Sequence, residues 1–148
     1  MENVERLVAI EEIKQLKARY FRCMDTKDWD GLADVFSADA VLDHTAAEVD
    51  HTVHGAREIA GFIRDAISEV VTVHHGHMPE IQVDSPTTAR GTWAMEDMLW
   101  WPDGDTARSM HGYGHYHEDY VKVDGEWKIQ VNRLTRLRVE VDVPGTRR

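Results

Sequence analysis

The sequence predicts an α+β fold in a single domain. In residues 1–70 the apolar residues recur mostly at helical spacing, whereas from about residue 70 onwards they alternate with polar residues, as in strands. Helices followed by a run of strands indicate an α+β fold and not an alternating α/β one. The 148 residues are enough for one domain with a substantial core. We therefore expect one domain over residues 1–148, with a frayed tail from about residue 143.

Three helices are expected in the first half of the chain. The first is long and amphipathic, with Asn3 as a possible N-cap, and the polar stretch "DTKDWDG" ends it. The segment "WDGLADVFS" predicts a short second helix capped by Asp28 or Asp30, and "GAREIAGFIRDAIS" predicts a third. A short strand, "DAVLDHT", and a polar loop, "AAEVDHTVHG", lie between them. The apolar stripe of the first helix consists of Val4, Leu7, Val8, Ile10, Ile13, Leu16, Tyr20, Phe21 and Met24.

Long strands are expected in the second half. Turn signals at Pro79, "DSP", "PDGD" and "DGE" separate them, and the last of these predicts a tight hairpin. Bending at Gly91, Gly112 and Gly114 would wrap such a sheet around the helices. We therefore expect a cone-shaped barrel, a strongly curved antiparallel or mixed sheet around the N-terminal helix, with an internal cavity. The strand segments are "VTVHHGHM", "EIQVD", "TARGTWAMEDMLWW", "ARSMHGYGHYHEDYVKV" and "EWKIQVNRLTRLRVEV".

Composition and charge exclude several classes of partner. The net charge is −10 and no Lys/Arg run is long enough to follow a phosphate backbone, so we expect neither nucleic acid nor an anionic membrane surface as a partner. Cys23 is the single cysteine and cannot form an internal disulfide. No apolar run approaches the roughly 20 residues of a membrane span, and the first residues do not resemble a signal peptide. A cytoplasmic protein is expected, although a secreted one without disulfides fits the same pattern.

The stretch "VTVHHGHMPEI" places three histidines within four positions. Because side chains alternate across a strand, His74 shares one face with Thr72, while His75 and His77 lie on the other. On a later strand His111, Tyr113, His115 and His117 share a face, which predicts a histidine-rich outer surface.

No complete set of metal ligands has a known spacing on that surface. Glu118 follows His117 directly, whereas the cupin pattern needs a glutamate three or four residues after H-x-H. We therefore expect no metal, and a homodimer through the outer face, because histidine and tyrosine are buried at lower cost than lysine. His44, His51 and His54 lie in or beside a loop and are expected to be solvated.

Two strand faces could line a pocket. Met110, Gly112, Gly114 and Tyr116 share a face, and two glycines beside an aromatic leave room for a ligand ring. Trp93 and Asp97 share a face on the preceding strand. Asp97 is either a buried acid with a role in the site or an exposed residue at its rim.

The element order, ending in "YVKVDGEWKI", resembles the SnoaL-like branch of the nuclear transport factor 2-like superfamily from about Val8 to Val141. That branch includes a bile-acid dehydratase, scytalone dehydratase and hexachlorocyclohexane dehydrochlorinase. In "RYFRCMD", Tyr20 and Asp25 match a tyrosine and an aspartate of the bile-acid dehydratase. "TVHHG" matches the stretch whose histidine pairs with that aspartate, which corresponds to His74.

The resemblance implies an enzyme without a cofactor. His74 would be the general base, Asp25 would orient it, and Tyr20 would donate a hydrogen bond to the substrate. The substrate would be a small hydrophobic polycyclic or aromatic carbonyl compound, undergoing elimination, isomerisation or cyclisation. Met95 would line the pocket. The substrate-binding candidates are Asn132, Tyr116, Met95, Trp93 and Asp97.

The sequence departs from the dehydrochlorinase at one position and leaves other functions open. Asn132 stands where the dehydrochlorinase has a basic residue, and Arg133 should point to the opposite face. The alternatives are a ligand carrier, a subunit like the small β subunit of ring-hydroxylating dioxygenases and, less favoured, a metal-dependent enzyme that uses the outer histidines.

Overall fold

The computed structural model describes residues 1–102 and 107–143, in which helices pack against one face of a curved sheet. The strand order is β2-β1-β6-β5-β4-β3, with β1 and β6 parallel and the other neighbours antiparallel. The sheet curves but does not close, and the predicted α+β class is confirmed. A 3-10 turn covers Thr45–Ala47. The elements are α1 (Asn3–Asp25), α2 (Trp29–Asp34), β1 (Phe36–Asp43), β2 (Val53–His54), α3 (Ala56–Ile67), β3 (Val71–Ser85), β4 (Thr88–Trp101), β5 (Arg108–Val123) and β6 (Glu126–Asp142).

Helix α1 is capped differently from the prediction. Its N-cap is Glu2, which forms a capping box with Glu5, and Asn3 is already the first helical residue. Two orphan backbone N–H groups are satisfied reciprocally in this way, so Asn3 has no capping role. The cap predicted for α2 is correct, because the Asp28 side chain accepts a hydrogen bond from the backbone N–H of Gly31 at 2.9 Å.

The apolar stripe of α1 is only partly buried. Ile13, Leu16 and Tyr20 are almost inaccessible to solvent, whereas the stripe residues of the first two turns are exposed. The helix therefore contacts the sheet through its C-terminal two thirds, and this end carries Asp25 to the site. The exposed residues are Val4, Leu7 and Val8.

Strand β3 runs straight through Pro79, which we predicted to be a turn. The strand lies at the edge of the sheet and pairs with β4 alone, so the missing N–H of Pro79 disrupts no ladder on its free side. The interruption appears only as a register shift between Gly76 and Pro79.

The hairpin between β5 and β6 confirms the turn predicted from "DGE". Asp124 and Gly125 both have positive φ, 50° and 82°, the conformation that a two-residue type I′ turn requires. Farther along, a register shift occurs at Tyr113/Gly114, where a side chain on Gly114 would meet the carbonyl oxygen of Thr135. Residues 103–105 of the predicted "PDGD" turn, the adjoining residue 106 and residues 144–148 of the tail lie outside the described residues.

The interior contains ionisable and amide groups as well as an apolar core. Ile13, Leu32, Leu42, Ile59 and Ile129 anchor the apolar part. In the described part of the chain, no helix is both long enough and apolar enough to cross a membrane. The buried polar residues are Lys17, Ser37, Thr72, Asp97, Glu118 and Asn132, and most of them lie between α1 and the sheet.

Candidate active site

Asp25 and His74 form a hydrogen-bonded pair where the end of α1 meets β3. His74 Nδ1 lies 2.7 Å from Asp25 Oδ1, and the backbone N–H of His74 donates to Asp25 Oδ2 at 2.9 Å. One carboxylate therefore holds both the ring and the backbone of His74. Because a carboxylate only accepts hydrogen bonds, the neutral ring carries its proton on Nδ1 and leaves a lone pair on Nε2.

The environment keeps Asp25 ionised. Burial opposes ionisation, but hydrogen bonds from the ring and backbone of His74 and from Thr72 outweigh it and hold the pKa of Asp25 below its ordinary value. The Thr72 hydroxyl donates to Asp25 Oδ1 at 2.9 Å, and Lys27 Nζ donates to the Thr72 hydroxyl at 3.1 Å. Thr72 and His74 lie on the inner face, as strand alternation predicted.

An aromatic ring fixes the second side of His74. Phe21 of α1 stacks on the imidazole, with ring centroids 6.3 Å apart and an interplanar angle of 17°. Gly76 allows this approach, because a Cβ at that position would lie 2.6 Å from the Phe21 ring. The imidazole is thus held by a carboxylate at its edge and by a ring on its face, and its side chain is 8% exposed.

Asp97 is a buried acid paired with Arg136. The two form a bidentate ion pair of 2.7 and 2.9 Å, and Asp97 lies directly opposite His74 in the β3–β4 register. Burial would lower the pKa of Arg136, but the hydrogen bonds and charge of Asp97 raise it. The pair occupies the room above Gly112, where a Cβ would lie 2.3 Å from both side chains. The space that we predicted for a ligand ring at Gly112 is therefore filled by the protein itself.

Sequence reasoning missed Arg136. It lies on β6, two residues after Leu134 and four residues after Asn132, and both of those residues are buried. The same alternation that placed Asn132 inward therefore also places Arg136 inward. Arg133 faces outward, as predicted, and pairs with Asp43 at 3.4 Å.

A buried network lies deeper, beneath the dyad. Lys17 Nζ is 3.0 Å from Glu118 Oε1, and neither side chain is accessible to solvent. The ammonium group also lies over the Tyr20 and Tyr116 rings, at 3.8 and 3.6 Å from their centroids. Burial lowers the pKa of Lys17 to about 8, against the opposing effect of Glu118.

The Glu118 carboxylate accepts further hydrogen bonds. Tyr120 donates to Oε1 at 3.0 Å and Asn132 Nδ2 donates to Oε2 at 2.7 Å. Trp93 Nε1 donates in turn to the Tyr120 hydroxyl at 2.8 Å. Trp93 and Asn132, both predicted to bind substrate, thus have their polar atoms engaged inside the protein. Met95 is buried beside Arg136, with 3.8 Å between its sulfur and Arg136 Nη1.

Tyr20 and Tyr116 lie between the dyad and this network. Their rings are 5.8 Å apart, and Tyr116 is 5.9 Å from Phe21, which stacks on His74. Burial raises the pKa of Tyr20 above its usual range, although hydrogen bonds from Tyr116 and Asn132 oppose this. Burial likewise raises the pKa of Tyr116, so both phenols stay protonated.

His44 is partly buried and hydrogen-bonded to an interior residue, whereas we predicted a fully solvated side chain. Its Nε2 lies 2.6 Å from Asn132 Oδ1, and its ring is 6.4 Å from that of Tyr116. Burial, with the nearby positive charge of Lys17 and Arg136, lowers the pKa of His44 to about 4 despite the hydrogen bond with Asn132. His44 comes directly after β1, and continued alternation places it on the same face as the buried residues Ala40 and Leu42. This alternation predicts burial better than the position of His44 at the start of a loop does. His51 and His54 are exposed, as predicted.

The outer face carries the remaining histidines, as strand alternation predicted. His75, His77 and His111 surround Glu96, with nitrogen–oxygen distances of 3.6, 3.2 and 2.8 Å. These side chains are a third to a half exposed. Within residues 1–102 and 107–143, no three histidine, cysteine or acidic side chains are arranged to hold a metal ion.

Comparison with known proteins identifies the family of the chain. The sequence profile of the SnoaL-like domain matches residues 5–133. The chain belongs to the SnoaL-like domain family. A curated relative is a probable cyclase, FGR4, of Gibberella zeae, 23% identical over 84% of this chain and 89% of its own length.

Two solved structures share the fold of this chain. A putative scytalone dehydratase from Novosphingobium aromaticivorans superposes with a TM-score of 0.84 at 20% identity, covering 94% of this chain and 91% of its own. The type 3 hexachlorocyclohexane dehydrochlorinase LinA of Novosphingobium barchaimii gives 0.83 at 17% identity, covering 99% and 98%. The predicted SnoaL-like resemblance is therefore confirmed.

Proposed function

We propose that this SnoaL-like protein is a cofactor-independent acid/base enzyme of the dehydratase, isomerase or cyclase type. The observation that carries the proposal is the 2.7 Å hydrogen bond between Asp25 and His74 Nδ1, which leaves Nε2 as the proton acceptor. Named relatives support the reaction class, since they comprise a probable cyclase, a putative scytalone dehydratase and a dehydrochlorinase.

In the proposed reaction, His74 Nε2 removes a proton from a carbon next to a carbonyl group. The ring then becomes an imidazolium between that carbon and the Asp25 carboxylate, which stays ionised and compensates the new charge. Electrons from the broken C–H bond move to the carbonyl oxygen. The resulting enolate expels a β-leaving group, is reprotonated at another carbon, or attacks a second carbonyl of the same molecule.

Two groups are suited to the developing negative charge. Arg136 has five N–H donors, and its pair with Asp97 uses two of them. Tyr20 is the second group, because burial raises the pKa of its hydroxyl and so keeps on the oxygen the proton that it would donate. Hydrogen bonds aimed at the oxygen that gains charge stabilise the transition state more than the ground state.

The proposed substrate is a small hydrophobic polycyclic or aromatic carbonyl compound. Phe21 stacks on His74, the Tyr20 and Tyr116 rings lie next to Phe21, and Met95 adds a polarisable side chain. Such walls favour flat apolar molecules, while Arg136 and Tyr20 would fix the position of one carbonyl oxygen.

The proposal can be tested before the natural substrate is found. A general base that faces a bound ketone should exchange its α-hydrogens for deuterium in D₂O, which proton NMR follows directly. 2-Tetralone and a steroid diketone are suitable probes for an aromatic and a polycyclic pocket. We expect the wild-type protein to accelerate exchange of at least one probe above the buffer rate, and His74→Ala to lose this acceleration. Equal rates for the two proteins would contradict the proposal.

We also propose that the protein is a homodimer that associates through the outer face of β3–β5. That face presents His75, His77 and His111, with the ring of Tyr113 stacked on His111 at 4.4 Å, where a fully solvated sheet would carry lysine and glutamate. Light scattering should give about twice the chain mass of 17.0 kDa. A monomer mass at micromolar concentration would contradict this.

A further inference from the structure

His44 and Phe21, the residue that covers His74, are both neighbours of Tyr116. Tyr116 contacts both the His44 ring, at 6.4 Å, and Phe21, which stacks on His74. The positive charge of Arg136, which pairs with Asp97 opposite His74, also acts on His44. The two histidines therefore border the same group of side chains, although 30 residues separate them in the chain.

The proton position on His44 follows from the network beneath it. Lys17 lies 3.0 Å from Glu118 and stabilises its carboxylate, which can only accept hydrogen bonds. Asn132 must therefore direct its NH₂ group toward Glu118 and its carbonyl oxygen toward His44. An amide oxygen also only accepts, so His44 must carry its proton on Nε2.

The other ring nitrogen of His44 is then an unprotonated acceptor. Within the described residues, Nδ1 of His44 makes no hydrogen bond, and the ring is only partly buried. The pKa of about 4, lowered by burial and by the positive charge of Lys17 and Arg136, means that the ring stays neutral at pH 7.

The partners of the two histidines differ in charge. The Asp25 carboxylate balances a proton taken up by His74. The direct partner of His44 is the neutral Asn132 oxygen, and the charge of Asp43 does not outweigh burial and the positive charge of Lys17 and Arg136. Pairs of titratable groups whose surroundings differ in this way divide the acid and base roles between them. His44 is thus suited to accept a hydrogen bond without removing the proton.

We propose that His44 Nδ1 is a substrate-recognition group that accepts a hydrogen bond from a hydroxyl group of the ligand. This deepens the proposed function, on which it rests, because it specifies the substrate as a hydroxylated aromatic or polycyclic carbonyl compound. Glu118, Asn132 and Lys17 are then positioning residues that act through the tautomer of His44.

Paired probes test this recognition directly. 1-Naphthol and 1-methoxynaphthalene have the same ring system, but only the first can donate a hydrogen bond. Titration calorimetry should show that the wild-type protein binds naphthol about tenfold more tightly than the ether, the effect of one buried hydrogen bond. The preference should vanish in His44→Phe and remain in the exposed control His54→Phe. A preference retained in His44→Phe, or no preference or no binding of either probe in the wild type, would overturn the proposal.

Nitrogen-15 NMR of the free protein tests the premise without a ligand. The ring shifts of His44 should report the Nε2–H tautomer from neutral pH down to about pH 4, near which the ring takes up its second proton. An Nδ1–H tautomer would overturn the proposal even if His44→Phe failed to fold. A naphthol preference that depends on His44, without any ketone exchange, would refute catalysis by His74 and leave the role of His44 intact. Ketone exchange without a preference for naphthol would refute the role of His44 and leave catalysis by His74 supported.

Discussion

Two histidine–carboxylate pairs lie on opposite faces of the same sheet. On the inner face His74 contacts Asp25 at 2.7 Å, and on the outer face His111 contacts Glu96 at 2.8 Å. The distances are nearly equal. The side chains of the inner pair are 8% and 23% exposed, whereas those of the outer pair are 34% and 25% exposed.

The difference between the pairs lies in what holds them. Asp25 binds the ring and backbone of His74 together with Thr72, and Phe21 covers the ring face. Glu96 instead shares its carboxylate among three partly exposed histidines, and the contacts of that cluster are open to water and salt. A histidine–carboxylate contact is thus suited to proton transfer only when its geometry is fixed by several independent contacts.

The largest difference in rate between the two faces is expected when each imidazole is removed in turn. His74→Ala should lower α-deuteration of 2-tetralone by roughly 10²- to 10⁴-fold, the usual contribution of a positioned general base. The matched outer variant His111→Ala should leave the rate within about twofold of wild type, because the described partners of His111, Glu96 and Tyr113, lie on the outer face. Loss of activity in both variants would indicate damage to the sheet and not to the chemistry.

Neutralising the two carboxylates should give the next largest contrast. Asp25→Asn removes the charge that balances an imidazolium and favours the wrong tautomer, so its rate should fall nearly as far as that of His74→Ala. Glu96→Gln should have little effect on the rate. The same deuteration assay measures both.

Asp25 should also link stability to pH. Its pKa is lowered in the folded protein from an ordinary value near 3.8, so its stabilising effect is complete above that value and is lost as pH falls through the lowered pKa. Urea unfolding should therefore show Asp25→Asn less stable than wild type at pH 7, with the gap narrowing toward pH 2. A constant gap would mean that ionisation of Asp25 does not contribute.

A smaller effect is expected from filling the space over Gly112. A methyl group there would lie 2.3 Å from both Asp97 and Arg136, so Gly112→Ala should displace the arginine and cost about 1–3 kcal/mol of unfolding free energy. Gly61→Ala on α3 is the control, since its Cβ would meet only Arg64 at 3.7 Å. That change should stabilise the helix by about 0.5–1 kcal/mol. Thermal and urea unfolding compare them, and equal stability of Gly112→Ala and wild type would contradict the packing described.

Among the inner-face variants of the proposed catalytic residues, Tyr20→Phe should have the smallest effect on the rate. The variant keeps the ring that packs against Tyr116 and Lys17 but removes one hydroxyl, so a loss of about two- to tenfold in deuteration is expected from one neutral hydrogen bond. A loss as large as that of His74→Ala would assign Tyr20 a direct proton-transfer role instead.

The order of elements could be predicted from the sequence, because it depends on local periodicity. Strand alternation placed His74 and His75 on opposite faces, whereas the pairing of His74 with Asp25 was expected from the family resemblance. The turn predicted at Pro79 was wrong. A proline is tolerated inside a strand when that strand lies at the edge of a sheet, and the position of a strand in the sheet depends on the complete fold.

The buried network was harder to predict, although its signals were present. Lys17 interrupts an apolar stripe between Ile13 and Tyr20, and Glu118 shares parity with Tyr116 and Tyr120. Each charge alone argues against burial, and each is buried because the other neutralises it across the interior. Sequence patterns do not reveal pairings between residues a hundred positions apart.

The pH dependence of 2-tetralone deuteration tests the central claim most directly. A base must be unprotonated to remove a proton, so the wild-type rate should decline toward acidic pH as an imidazole becomes protonated. His74→Ala should lose both this acid limb and most of the rate, while His111→Ala should keep both. An acid limb that persists unchanged in His74→Ala would show that another group takes the proton, and would contradict the assignment of His74 as the base.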